Sequence, residues 1–219
     1  MPRVKLPRKS TTVDMTAMCD VAFLLLTFFM LATKFKPEDV VKVAPPSSVS
    51  SDDIVDKNAL QVLFDKEGKV FFTYNDDANV GPMIDVVSTQ QNLGLTPAEK
   101  KNFVHIVSNG GGIGVPFNLL KQALDLDPDS FKAYKQPGVP ASDSAHNELR
   151  VWIACLLQAN GGTAPENVLV KGDNSAKYPA FKEVLRAFTD NKVFHFKLVT
   201  MMADAPVGTA LYDERRAKK

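Results

Sequence analysis

The chain has 219 residues, of which 26 are lysine or arginine and 25 aspartate or glutamate, for a formal net charge of +1. With no basic stripe after the N-terminal tail, this balance excludes a protein that follows nucleic-acid phosphates. The two cysteines, Cys19 and Cys155, form no C-x-x-C, which leaves redox and zinc chemistry without residues.

The charge is concentrated at the start. Arg3, Lys5, Arg8 and Lys9 have no acid among them, and the positive-inside rule places this tail, residues 1–13, on the cytoplasmic side. Lys34 and Lys36, beyond the next segment, are answered at once by Glu38 and Asp39. From Met15 to Thr33 the chain is apolar with a single charge; at about 1.5 Å rise per residue it reaches about 28 Å, close to a hydrocarbon core. The pattern predicts a transmembrane helix over residues 14–34. A secretory signal shares the basic start and an apolar run such as Val21 to Ala32, but no small-residue cleavage site follows Ala32.

Asp20 lies inside this segment. An ionised carboxylate facing lipid costs a few kcal/mol, so Asp20 belongs on a sheltered face. At about 100° per residue, Thr16, Asp20 and Thr27 fall within about 40° of one another, while leucines and phenylalanines cover most of the remaining circumference. A single helix cannot shelter its own polar seam, so the segment requires a protein or water-lined partner. Two roles are open for Asp20: a proton-binding group, or a side chain that snorkels to the near interface and does nothing.

The string V-D-M-T-x-M-x-D-V-A-F-L-L-L-x-F-F-M from Val13 to Met30, following K-L-P-R-K, resembles the ExbD/TolR family of biopolymer transport proteins, the single-pass subunits of proton-driven motors. The resemblance implies that Asp20 is the protonatable membrane residue. Thr27 shares its face by helical geometry alone. Family members usually carry proline before the key aspartate, where this chain has Ala17, which bears on the start of the helix rather than on its chemistry.

Residues 35–57 read as an extended, solvated linker rich in proline, serine and acids. Within it, Val40, Val41 and Val43 around Lys42 form a short β-prone piece ending at Pro45 and Pro46. It is either part of a stiff tether or a strand that docks on a sheet edge and is released again.

A folded domain is expected over residues 58–203. Ala59 to Asp65 and Lys69 to Asn75 read as a hairpin with Gly68 at the turn. Glu148 to Ala159 is an apolar helix with Ser144 or Asn147 as cap and Gly161-Gly162 as stop. Val168 to Lys171 follows as a strand. Pro179 opens a second helix, Ala180 to Asn191, with Phe181, Val184, Leu185 and Phe188 on one face. Phe194 to Met201 closes the fold, with Phe194, Phe196 and Leu198 on one side. The order, β-β-α-β-α-β, describes a small two-layer α/β (α+β) sandwich, and it is the order the resemblance implies for a periplasmic domain. The resemblance extends more weakly to L-V-K-G-D-N-S-A-K-Y, ending at Tyr178. There Asp173 ties down the strand-to-helix turn and Tyr178 packs beneath it, or both touch a partner. Residues 204–219 are a tail.

Residues 77–143 hold what the compact family domain lacks, a stretch too long for a loop without structure. Helices are expected from Thr96-Pro97 to Val107 and from Val115-Pro116 to Leu126, joined by a flexible N-G-G-G-I-G. No G-K-[ST] follows that run, so it is not a phosphate loop. The insertion either enlarges a dimer contact or meets a partner of its own. His105, His146 and His195 are isolated, and neither H-E-x-x-H nor G-x-S-x-G is present, so no enzyme, metal or cofactor is expected.

The resemblance implies a homodimer in the cell inner membrane, with a cytoplasmic N-terminus and a periplasmic domain, inside a ring of ExbB-like polytopic subunits. Protons, the transported ion, pass Asp20, and force reaches a TonB-like energy transducer for outer-membrane transport. The alternatives are a TolR-like subunit that binds peptidoglycan and a membrane-anchored periplasmic binding domain without a proton role.

Overall fold

The computed structural model describes residues 15–32, 40–50, 54–55, 57–141 and 146–217. The basic tail 1–13, part of the linker and the candidate cap Ser144 lie outside the described residues. The chain divides into two units, Met1–Lys36 and Pro37–Lys219.

In the first unit, α1 (Met15–Ala32) is a helix with a mean hydropathy of 2.0 and no buried residue. Its residues are leucine, methionine, alanine, phenylalanine and a few small polar groups, with no glycine or proline to interrupt the backbone ladder. Among the described residues it is the one helix long and apolar enough to cross a membrane.

The second unit is a mixed α/β domain. Its strands are β1 (Ser47–Ser48), β2 (Ala59–Phe64), β3 (Val70–Tyr74), β4 (Asn167–Gly172), β5 (Lys197–Leu198) and β6 (Met201–Met202). Four of them form a sheet in the order β3-β2-β4-β5. β2 pairs antiparallel with β3 and parallel with β4, and β4 pairs parallel with β5. The helices are α2 (Asp77–Gln90), α3 (Pro97–Ser108), α4 (Phe117–Leu124), α5 (Pro128–Ala133), α6 (Glu148–Ala159), α7 (Tyr178–Asp190) and α8 (Ala210–Ala217).

Alternation along the strands sets the core. Leu60, Val62 and Phe64 of β2, Phe72 and Tyr74 of β3, and Val168 and Val170 of β4 join the buried residues of α2, α3, α4, α6 and α7 in one cluster. Trp152 sits at its centre, with Phe72, Phe117 and Phe103 at ring-centroid distances of 4.7, 5.1 and 5.8 Å. The opposite alternates Leu63, Phe71 and Leu169 are buried too but lie outside that cluster, so the sheet is covered on both faces.

Several expectations are corrected here. Between the hairpin and β4 the chain places five helices where three were expected: α3, α4 and α6 stand where helices were read, whereas α2 and α5 occupy residues expected to carry no element. Asp76 caps α2 by accepting from the Ala78 amide at 3.1 Å, and Pro82 lies inside the helix, its missing donor offset by burial of Val80, Met83, Ile84 and Val87. The closing strand is two short pieces. Lys192 turns the chain out of α7 in a left-handed conformation (φ 59°) and Val193, which bonds back to the Phe188 carbonyl at 2.9 Å, enters the core. The expected face is buried only in part: Phe194 and Leu198 are exposed, while Phe196 packs, stacked 5.9 Å from Phe188. The tail ends in a helix, α8.

Candidate functional site

On α1, Thr16, Asp20 and Thr27 lie along one helical stripe, since the helix is continuous across all three. Thr27 turns its hydroxyl inward and donates to the carbonyls of Phe23 and Leu24, each at 3.0 Å. Its polarity is therefore satisfied by its own helix. Asp20 has no such recourse, because a carboxylate only accepts and every nearby backbone carbonyl also accepts. It stands exposed on the helix surface.

In the domain, the linker lies on the fold from Val40 to Ser48. Val40, Val41, Lys42 and Val43 form no strand; the strand of this segment is Ser47–Ser48, which pairs parallel with Met201–Met202. Pro45 is buried. The hydrogen bonds show whose place the linker takes. The amide of Val199 donates to Val170 of β4 at 2.8 Å, while the next amides on the same edge, Met201 and Ala203, donate to Pro46 and Ser48 of the linker at 3.0 and 2.8 Å. Where β4 ends, the linker continues as the neighbour of the final strand.

Asp173 joins the two. Its Oδ1 accepts from the Ser175 amide at 2.8 Å, which ties the strand-to-helix turn as expected, and its Oδ2 accepts from the Ala44 amide at 3.2 Å. The Asn174 amide donates back to the Ala44 carbonyl at 2.9 Å. The Ser175 and Ala44 amides together hold the Asp173 carboxyl below its ordinary value. Tyr178 is not beneath the turn: it is exposed and meets only the edge of the Phe181 ring, at 6.4 Å.

The glycine run is the feature that sequence reasoning misread. It is a fixed strip on the free edge of β3, where Ile113 exchanges two backbone bonds with Phe72 (2.9 and 2.8 Å) and Val139 donates to Val70 at 2.7 Å. Buried Gln136 clamps the strip, donating to the Gly112 carbonyl at 3.0 Å and accepting from the Gly114 amide. A side chain at Gly114 would sit 2.0 Å from the Phe71 ring, so close approach to the sheet requires glycine there. The edge of β3 is thereby closed to further strand addition. Among the described residues no group of histidine, cysteine, aspartate and glutamate is placed to hold a metal.

A single apolar helix ahead of a mixed α/β domain is consistent with a single-pass membrane protein. Residues 7–92, which take in α1, β1, β2, β3 and α2, match the family model described as Biopolymer transport protein ExbD/TolR. No curated protein and no solved structure matches the chain.

Proposed function

We propose that the protein is an ExbD-like subunit of a proton-driven motor in the cell inner membrane, with Asp20 as its proton carrier, ExbB-like and TonB-like proteins as partners and a second copy completing a homodimer. The observation that carries this reading is the lone carboxylate in an apolar helix within the span matched to the ExbD/TolR family. One proton crossing 100 mV carries about 2.3 kcal/mol, so several per cycle suffice for mechanical work. The linker supplies the transmission. Held on the fold, residues 40–48 are fixed to the domain; released, they span at most about 30 Å at about 3.3 Å per residue.

Asp20→Asn keeps the size and polarity of the side chain and removes its proton chemistry. Energised uptake is expected to disappear while the variant still assembles with the polytopic ring subunit. Wild-type uptake in that variant would refute the reading. A TolR-like role is distinguished by the recipient: the domain then retains purified peptidoglycan and not a TonB-like periplasmic peptide.

A further inference from the structure

The linker and the insertion meet at Gly112. A Cβ placed on Gly112 would come within 2.6 Å of Val40 Cγ2 and 3.0 Å of Thr73 Oγ1. The neighbouring glycines answer to other needs. At Gly111 a Cβ would strike the Ile106 carbonyl oxygen at 2.7 Å, within the insertion itself, and at Gly114 the Phe71 ring. Only at Gly112 does the linker impose the requirement, because there the Cβ-free surface is what lets Val40 lie down. The two sides of that contact differ in rigidity. The strip is held by the Ile113–Phe72 pair and by Gln136, whereas Val40 begins the docked segment, whose next anchor is the Ala44–Asp173 bond.

We infer that the insertion is the seat of the start of the docked linker: Val40 rests on Gly112, and the bare surface of the strip there is one of the anchors that keep the segment 40–48 in place. The inference rests on the reading of residues 40–48 as a releasable strap and adds what governs its release. Any movement of the insertion that withdraws or fills the Gly112 surface frees the first anchor and leaves the Asp173 contact and the β1–β6 pair to hold the rest. The insertion thus regulates reach.

Hydrogen exchange on the full-length chain in detergent tests this, reading the peptide over residues 40–48 against β2 and β4 as internal controls. Gly112→Ala should raise exchange of that peptide about tenfold, corresponding to about 1.4 kcal/mol, with β2 and β4 unchanged. Val40→Ala, which leaves the strip intact, should do the same even if Gly112→Ala disturbs the strip itself. The double variant should recover protection, because the methyl introduced by Gly112→Ala fills the space that the Val40 methyls vacate. Failure of the double variant to recover, or no effect of either single variant while Asp173→Ala does free the segment, overturns the seat and leaves the strap reading standing. If Asp173→Ala, Val40→Ala and Gly112→Ala all leave exchange at the wild-type level, the strap reading itself fails.

Discussion

Gln136→Met tests whether the clamp on the glycine strip holds the insertion to the sheet. Gln136 is 8% exposed, and it satisfies two buried backbone groups, the Gly112 carbonyl and the Gly114 amide. Methionine preserves most of the volume, so the cavity term is small and the loss is electrostatic. Leaving a buried polar group unpaired costs about 1–3 kcal/mol, so two such groups give about 2–6 kcal/mol, a large share of the 5–15 kcal/mol typical of a domain. At about 2–4 °C per kcal/mol for a domain of this size, a central loss of about 4 kcal/mol lowers Tm by about 8–16 °C. Urea melts should show a lower midpoint with the same slope, and exchange at Ile113 should rise. A loss below about 1 kcal/mol with Ile113 still protected would show that water replaces the side chain, and that the backbone pairing with Phe72 alone fixes the strip.

Three further outcomes follow from the other polar contacts. Because the Asp173 carboxyl is held below its ordinary value of 3.8 by the Ser175 and Ala44 amides, its contribution is complete above that value and is lost as pH falls through the depressed one; the Ala44 amide resonance should therefore be constant from about pH 7 to about pH 5 and shift only in more acid solution. Asp173→Ala should abolish that dependence. Burial pushes the Tyr74 phenol up to about 12, so it stays a donor to Asp76 Oδ2 at 3.0 Å and an acceptor from Asn160 Nδ2 at 2.9 Å; Tyr74→Phe should cost about 1.5 kcal/mol by chemical denaturation. Burial also raises the Glu148 carboxyl, against the opposing bond from the Phe117 amide at 2.8 Å. Its contribution is greatest in acid and declines as pH rises through the raised value, so Glu148→Gln should flatten the stability profile without lowering neutral-pH stability.

What the sequence made legible was local. The bounds of α6 follow from Asn147, whose side chain accepts from the Arg150 amide at 3.1 Å, and from Gly161, which takes the left-handed turn at φ 67°. Both signals lie within a few residues of the helix they delimit. The misses are non-local. Gly81-Pro82 reads as a breaker, and only the burial of the residues around it overrides that propensity to make α2. Ser47–Ser48 has no strand pattern; it is a strand because the last strand outruns β4 and leaves amides at Met201 and Ala203 that the linker satisfies. The glycine run was legible as glycine but not as a steric requirement, since Phe71 and Val40 are distant from it in sequence.

The candidate site divides along the same line. The stripe of Thr16, Asp20 and Thr27 follows from helical period, but its meaning changes once the Thr27 hydroxyl is seen to bond its own carbonyls. The need for a partner in the membrane then falls on the Asp20 carboxylate, the one acid on α1, which its own backbone cannot satisfy. The insertion moves in the opposite direction. Among the described residues, the large exposed apolar side chains outside α1 are Val49, Ile54, Val55, Tyr178, Phe194, Leu198, Met201, Met202 and Val207, and none of them belongs to residues 77–141. Residues 77–141 direct their large apolar side chains inward, close the β3 edge and carry Val40, whereas the exposed large apolar side chains of the domain gather at residues 49–55, at Tyr178 and at residues 194–207.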